Sequence, residues 1–429
     1  MKHIQTVKKL IGGIGVFTAL SLVASFFNFL FNFILIRLLT PQEFRDLTLA
    51  NNLINIFGNL FVALNIVSIA IFYVAKDSQA NIIRACQKLI YGLYVVLLGL
   101  CVVFSSTVQQ RTGLHDTILL NVTLAVIFFS IPVMVLNAIY LGGNRFNRSA
   151  IMNVSLALGR LLVGIVGAAM LATHKDIAAI AGILVVFVIV FNLFSWLEKP
   201  EIRHKNLEFF KHIWEAPVHI LKQHRSLIIA SVLYALTINF LLGMDLFMFG
   251  QFFSAGQSAD YAAVSVIGKL SFFFIAPISL YLAAKQQEFI ASRPLVALKT
   301  SVGVNTLILL VGIILTFLPP ALVSLLIHRA PNEINTSYLT WSVIFNGAVV
   351  MANHQIIEAI VGKRHRLAAV VCSGLLIIGG TVFLFFKDIV GHFPAFKAVD
   401  LALGLPALAM ILAALILFSG THLFRLRRR

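Results

Sequence analysis

The chain has 429 residues, of which 60% are hydrophobic and only 11% are charged, and its mean hydropathy is +0.97. Soluble proteins carry about 25% charged residues, so this chain lacks the polar side chains to cover a water-facing surface. The composition therefore excludes a soluble enzyme and indicates a membrane protein with many spans. The net charge of +17 does not imply a nucleic-acid partner, and we expect none, because the cytoplasmic loops of such proteins collect Lys and Arg.

A membrane-spanning helix needs about 20 mostly apolar residues, and twelve stretches of the sequence meet this requirement. They lie at 10–36, 47–74, 89–106, 118–141, 150–171, 177–196, 227–249, 261–284, 295–318, 339–361, 367–386 and 401–419. A further apolar run, 321–327, is too short to span and is predicted to lie at the membrane interface. The predicted fold class is thus an all-α polytopic membrane protein.

The distribution of basic residues predicts the orientation of these spans. With both termini in the cytoplasm, 24 of the 33 Lys and Arg residues belong to the cytoplasmic side, counting Lys299 at the cytoplasmic end of the ninth span; 7 fall outside, and 2, Arg160 and Lys269, lie deeper within spans. This asymmetry follows the positive-inside rule. No small-residue cleavage site follows the first apolar run, which is therefore predicted to be a retained span. The basic C-terminus is predicted to contact anionic membrane lipids.

A long polar segment divides the chain into two halves of six spans each. We predict an N-terminal lobe at 1–197, a basic amphipathic linker on the inner membrane face at 198–226, and a C-terminal lobe at 227–429. Four histidines lie in the linker, but no cysteine or carboxylate cluster accompanies them, so we interpret them as solvated side chains and not as metal ligands.

The halves also correspond in sequence. A shift of 214 residues places the segment 40–46, before the second span, on 254–260, before the eighth, and places Asp46 on Asp260. This correspondence suggests an internal duplication, with lobes related by an axis along the membrane normal.

Three short segments resemble a known family. Residues 32–44 read N-F-I-L-I-R-L-L-T-P-Q-E-F, which resembles the first hairpin of the polysaccharide flippases in the multidrug/oligosaccharidyl-lipid/polysaccharide exporter superfamily. The loop 142–148 resembles the basic R-F loop of that family. The stretch from Asp245 to the Y-A-A at 261–263 resembles its seventh hairpin. The sequence departs from the family pattern at Thr40 and Arg45, where glycines are usual.

The resemblance implies two six-helix lobes around a V-shaped cavity. It also implies a flippase that carries an undecaprenyl-pyrophosphate-linked oligosaccharide across the bacterial cytoplasmic membrane by alternating access. The oligosaccharide would serve the synthesis of surface polysaccharides such as the O-antigen of lipopolysaccharide. The expected partners are then the lipid-linked oligosaccharide, membrane lipids, and the polysaccharide polymerase and chain-length proteins of the same pathway.

Basic residues within spans are the first candidates for the cargo site, because a charge at the bilayer centre costs about 2.5–3.5 kcal/mol on insertion scales. Arg160 lies near the middle of the fifth span and Lys269 lies in the eighth. Together with Arg37 of the first hairpin, they are predicted to bind a phosphate or pyrophosphate head group. For Lys269 a structural ion pair with Asp245 is an equal alternative, whereas no acid at depth is available to Arg160 in its own lobe.

Amide side chains form a second pattern on the first two spans. Asn28 and Asn32 are one turn apart on span one, and Asn51, Asn55 and Asn59 follow one face of span two. Carboxamides suit sugar hydroxyls because they donate and accept hydrogen bonds. Hydrogen bonding between the two spans is the alternative, and both roles are compatible.

The tenth span holds candidates for ion coupling. His354 and Glu358 are one turn apart and are predicted to carry a proton, since histidine titrates near neutral pH. Asn353 and Asp245 are candidate ligands for sodium. The alternative is that Glu358 is solvated beside a basic cytoplasmic loop. Beyond a coupling proton or sodium ion, we expect no cofactor.

The sequence contains no P-loop for ATP and no nucleophile with a neighbouring base. We therefore expect a transporter and not an enzyme. Two other functions stay open: a cation-coupled drug antiporter of the same superfamily, which favours an acidic cavity, and a membrane glycan polymerase or ligase, which typically needs a large outer loop.

Overall fold

The computed structural model describes residues 2–58, 98–112, 116–142, 145–171, 173–197, 224–276, 294–328, 335–393 and 397–423, with isolated residues between them. These form helices α1 (Lys2–Leu38), α2 (Pro41–Gly58), α3 (Ser105–Thr112), α4 (Thr117–Gly142), α5 (Phe146–Gly159), α6 (Ile165–Met170), α7 (Lys175–Leu197), α8 (Arg225–Phe252), α9 (Ala255–Gly268), α10 (Pro294–Thr316), α11 (Pro320–Ile327), α12 (Thr336–Val361), α13 (His365–Leu384), α14 (Phe386–His392) and α15 (Ala398–Phe418). Two π-helical segments, Arg160–Gly164 and Ser419–Leu423, continue α5 and α15.

The described helices confirm the all-α polytopic class. The described residues contain ten helical stretches long and apolar enough to cross a membrane, counting α5, its π segment and α6 as one span and extending the span of α9 to Ala276. They correspond to ten of the twelve predicted spans. The second predicted span is described continuously only as far as Gly58, and the third is described continuously only from residue 98 onwards. The run predicted to lie at the interface is the short helix α11.

The helices pack in two groups that follow chain order. In the first half α1 packs on α5, and α4 packs on α7; in the second half α12 packs on α15, and α8 packs on α13. The groups meet mainly where α2 lies against α8 and α9. The boundaries 1–197, 198–226 and 227–429 stay a prediction, because most of the linker, with three of its four histidines, lies outside the described residues.

The segment repeated in sequence has the same local structure in both halves. At the start of α2, the hydroxyl and the backbone N–H of Thr40 donate to the Glu43 carboxylate at 2.9 and 2.8 Å. At the start of α9, the hydroxyl and the N–H of Ser254 donate to the Gln257 side chain, both at 3.1 Å. In each case the backbone N–H of the third residue returns a hydrogen bond to the hydroxyl, at 3.3 Å. Two capping boxes thus stand 214 residues apart.

Glycines let the fifth and sixth spans cross at close range. A Cβ atom at Gly182 of α7 would lie 2.9 Å from the Cα of Gly164, and one at Gly167 would lie 2.9 Å from a carbonyl oxygen of α7. Membrane helices commonly use small residues for such approach. The close crossing fixes the π-helical segment, and therefore Arg160, against α7.

Candidate functional site

Arg160 begins one of the two described π-helical segments and points away from the exposed face of its span. That face carries Ile151, Leu158, Leu162 and Val166, which are 37–57% exposed. Because each helical residue turns by about 100°, Arg160, two residues from both Leu158 and Leu162, lies on the opposite side. π-Helical turns are rare and are frequently found at functional sites.

The charge of Arg160 has no acidic partner in the part of the chain that the structure describes. Its guanidinium carbon lies 5.2 Å from the centroid of the Phe187 ring, within the range of a cation–π contact. Its Nε atom is buried and makes no hydrogen bond. The residue as a whole is half-buried. These features fit a basic group whose partner is an external anion.

Lys269 forms an ion pair with Asp245, which the sequence analysis gave as the alternative to phosphate binding. Its Nζ atom lies 3.8 Å from Asp245 Oδ1. Tyr261 donates a hydrogen bond of 2.9 Å to the other oxygen, and the backbone N–H of Leu246 donates one of 2.8 Å to Oδ1. Asp245 is fully buried, whereas 16% of the Lys269 side chain is exposed. The buried acid is thus neutralised, and the ammonium keeps limited access to a ligand.

Glu358 is fully buried and not solvated as in the alternative. Ser301 of α10 donates a hydrogen bond of 2.6 Å to Oε2, and His422 Nε2 lies 3.1 Å from the same oxygen. His354 Nε2 lies 3.7 Å from Oε1. The predicted contact between His354 and Glu358 is therefore present, but at a distance beyond that of a hydrogen bond.

Three members of this cluster were not among the predicted site residues: His422, Ser301 and Gln355, which donates to Ser301 at 3.1 Å. His422 lies three residues beyond the predicted end of the last span, and the π-helical segment Ser419–Leu423 carries it back against Glu358. A histidine at the end of an apolar run was the available signal. Hydropathy alone assigns such a residue to water.

The structure does not bring the two candidate sodium ligands together. Asn353 accepts a hydrogen bond of 2.6 Å from the Tyr234 hydroxyl. Tyr234 and Asp245 lie eleven residues apart on α8, or about 16 Å along the helix. Among the described residues, no group of three or more His, Cys, Asp or Glu side chains is arranged to hold a metal ion.

The amides of the first two spans are placed differently from one another. The Asn32 side chain donates to the Asn28 carbonyl within α1 at 2.9 Å. Asn51 is half-buried and Asn55 is exposed, and neither side chain makes a hydrogen bond in the described part of the chain. Both therefore remain available to a ligand. Asn59 lies outside the described residues.

Several hydrogen bonds among the described residues join side chains of the first half to backbone carbonyls of the second. The guanidinium of Arg37 donates to Leu325 of α11 and also to Phe33, whose ring it covers at 3.6 Å. Two further bonds of this kind join Asn52 to Gly243 at 2.8 Å and Ser25 to Phe273 at 2.7 Å. Arg37 is thus engaged in holding the halves together. Asn52, adjacent to the predicted Asn51, is a contact that sequence analysis missed.

Comparisons with known proteins identify the fold. Neither a family model nor a curated protein matches the sequence. Among solved structures, a MOP superfamily transporter from Pyrococcus furiosus, described as having a binding pocket of reverse polarity, is 14% identical with a TM-score of 0.64, covering 98% of this chain and 95% of that chain.

Two structures of a multidrug resistance MATE family transporter of the MOP superfamily are similar to the chain to nearly the same degree. The inward-facing one is 14% identical with a TM-score of 0.59, covering 96% of this chain and 94% of that chain. The outward-facing one is 14% identical with a TM-score of 0.60, covering 98% and 95%. The chain is therefore a multi-pass membrane protein with a MATE-like, transporter-like fold.

Proposed function

We propose that this chain is a flippase that moves a lipid-linked oligosaccharide, with an undecaprenyl-pyrophosphate carrier, from the inner to the outer leaflet of the bacterial cytoplasmic membrane. The observation that carries the proposal is the state of Arg160: a half-buried cation inside a span with no acidic partner among the described residues. A phosphate or pyrophosphate group is the natural partner for such a guanidinium, because it accepts paired hydrogen bonds from the planar fork.

The buried acids support the same choice of cargo. Asp245 is neutralised by Lys269, and the Glu358 carboxylate accepts hydrogen bonds from Ser301 and from His422. Neither of these two buried acids is thus left free for a cationic drug. The reverse polarity described for the pocket of the Pyrococcus furiosus transporter fits a MATE-like fold whose cargo is not cationic.

The sugars and the lipid tail of the proposed cargo also have suitable binding surroundings. The unbonded amides of Asn51 and Asn55 suit sugar hydroxyls, and Asn28 and Asn32 are further candidates. The lipid tail stays in the bilayer while the head group crosses between the lobes. In this proposal both termini are cytoplasmic, and the polymerase and chain-length proteins of the pathway act on the product outside.

The test compares cells that express Arg160→Gln with cells that express Arg225→Gln, an exposed arginine at the start of α8. The lipid-linked glycan pool is measured by extraction and mass spectrometry, beside surface-glycan staining. We expect Arg160→Gln to accumulate complete lipid-linked repeats and to lose surface glycan at normal protein level, whereas Arg225→Gln behaves as wild type. Full export by Arg160→Gln would contradict the proposal.

A cation-coupled drug antiporter is the second candidate, and the titratable cluster around Glu358 favours it, since antiporters need a site for the coupling ion. A deletion strain, measured beside these cells, distinguishes the two functions. An antiporter predicts lowered resistance to cationic drugs in the deletion strain, with no accumulation of lipid-linked glycan. Single repeats that still reach the outer leaflet would indicate a polymerising enzyme.

A further inference from the structure

Arg37 joins the two halves through the terminal nitrogens of its guanidinium. Nη1 donates a hydrogen bond of 2.6 Å to the carbonyl of Phe33, one turn back on α1, and Nη2 donates to the carbonyl of Leu325 on α11. The guanidinium carbon lies 3.6 Å from the centroid of the Phe33 ring. The side chain is thus held by its own helix, while one nitrogen is directed at the other half.

The accepting carbonyl lies at the C-terminal end of α11, a helix of eight residues. The last four carbonyls of a helix have no partner within it, and the helix dipole favours a cation there. At this end His328 adopts a left-handed conformation with φ of 53°, and its N–H donates to the carbonyl of Ser324. The carbonyl of Leu325 is the next along the chain. Arg37 therefore caps the end of a helix that belongs to the other half.

Arg37 also lies at the rim of the boundary between the halves, because it is the next-to-last residue of α1. Two other hydrogen bonds across this boundary lie deeper. Asn52 is eleven residues, or about 16 Å, beyond the start of α2, and Ser25 is twelve residues, or about 18 Å, before Arg37 on α1. With both termini cytoplasmic, as proposed, Arg37 and α11 lie at the outer face.

We propose that the contact of Arg37 with α11 is a latch that keeps the outer side of the transporter closed, an inference that rests on the proposed function and its orientation. When the two lobes rock to expose the head group outside, the atoms at the outer rim separate the most. The bond of Arg37 to Leu325 must then break in every cycle, whereas contacts near mid-membrane move much less. The latch stabilises the state in which cargo loads from the cytoplasm.

The strength of the latch follows from the contact itself. The bond exists only while the outer side is closed, so its removal shifts the balance between the two states toward outer opening. One hydrogen bond contributes a modest net free energy, which corresponds to a shift of about two- to tenfold. Arg37→Lys keeps the charge but cannot bond both carbonyls in the same way, because an ammonium lacks the planar fork. It should weaken the latch only in part.

Lys175 provides a matched control. Its Nζ atom donates a hydrogen bond of 3.2 Å to the carbonyl of Leu38, at the end of α1. It is therefore also a cation that caps the end of a helix at the proposed outer face. Both of these residues belong to the first half, so Lys175→Gln removes a comparable cap that does not join the halves.

The test measures access from outside the cell to Ser25→Cys, in a chain whose three native cysteines are replaced by alanine. Ser25 is buried between the halves, where its hydroxyl donates to the carbonyl of Phe273 at 2.7 Å. Intact cells receive a membrane-impermeant methanethiosulfonate, and the labelled fraction is followed over time. The parent is compared with Arg37→Gln, Arg37→Lys, Lys175→Gln and Leu325→Ala, the last of which keeps the accepting carbonyl.

We expect Arg37→Gln to be labelled about two to ten times faster than the parent, and Arg37→Lys at an intermediate rate. Lys175→Gln and Leu325→Ala should react at the parent rate. Equal rates for Arg37→Gln and the parent overturn the latch. The latch is also overturned if either control reacts as fast as Arg37→Gln, because general loosening or side-chain packing would then explain the result.

A second measurement does not require Arg37→Gln to fold. Arg37→Cys and Leu325→Cys are combined and joined in cells by a bifunctional thiol reagent with a reducible link. We expect export of surface glycan to stop and to return after reduction, and continued export while the halves are joined overturns the latch. The cargo is tested separately: full export by Arg160→Gln overturns the flippase, whereas faster labelling of Arg37→Gln would still support a latch in a transporter for another cargo.

Discussion

Arg160 in the first half and Asp245 in the second are both charged residues inside spans, but their surroundings differ. The acid has a lysine, a tyrosine hydroxyl and a backbone N–H within reach. The arginine has an aromatic ring and no acid among the described residues. A buried charge that is neutralised serves the fold, whereas one that is left without a counter-charge lowers stability and must be retained for another reason. This difference predicts opposite effects of removing the two charges.

The largest effect is expected for Asp245→Asn. This change leaves the Lys269 ammonium beside neutral groups, and breaking a buried pair costs about 3–5 kcal/mol; the low end of that range applies, because Lys269 keeps some exposure. We expect a marked fall in the melting temperature, measured by fluorescence-detected size exclusion after heating. The double variant Asp245→Asn with Lys269→Met should recover most of the loss. Equal instability of the single and double variants would show that the ion pair is not the cause.

Removing the charge of Arg160 should not lower the melting temperature, in contrast to removing the charge of Asp245. Arg160→Gln removes an uncompensated cation from a span, which on insertion scales relieves up to about 3 kcal/mol. We expect an unchanged or higher melting temperature together with loss of export. Arg160→Lys keeps the charge without the planar fork and should restore export only in part. A lowered melting temperature for Arg160→Gln would instead assign the guanidinium a structural role.

The sequence predicted the spans and the charged residues within them, but it did not predict the local helix geometry and the contacts between distant helices. Hydropathy placed the fourth span at 118–141, and α4 is Thr117–Gly142, because the cost of exposing backbone and polar side chains to lipid fixes such bounds. It also placed Arg160 and Asp245 within spans. It did not reveal the π-helical segments or the contact of His422 with Glu358, which depend on how distant helices pack.

The amides of the second span also show what sequence spacing cannot predict, because neighbouring asparagines have different contacts. Helical spacing selected Asn51 and Asn55 as one face of the second span, and neither side chain makes a hydrogen bond within the residues that the structure describes. The adjacent Asn52 is one of the residues that join the halves, through its hydrogen bond to Gly243. Sequence spacing defines a face, but only tertiary structure shows what that face meets.

A smaller effect is expected where the fifth and sixth spans cross. Gly182→Ala places a methyl group 2.9 Å from the Cα of Gly164, and such overpacking typically costs about 1–3 kcal/mol. Since the crossing also seats Arg160, export should fall as well. Gly303→Ala on α10 is the control, because a methyl group there would meet no neighbouring helix or side chain within 4 Å. The prediction is contradicted if the two variants have the same melting temperature.

The smallest effect tests the correspondence between the halves. Thr40→Ala and Ser254→Ala each remove the hydroxyl of a capping box, and loss of such a cap costs about 1 kcal/mol. Because the two boxes have matching hydrogen bonds, we expect similar losses of stability from the two variants and an approximately additive loss in the double variant, since distant sites usually act independently. Melting curves of the four proteins measure this. A loss of stability in only one of the two variants would mean that the duplicated segment has kept its geometry in both halves but stabilises only one of them. The two halves would then differ at the starts of these helices, as they already differ in whether their buried charges are neutralised.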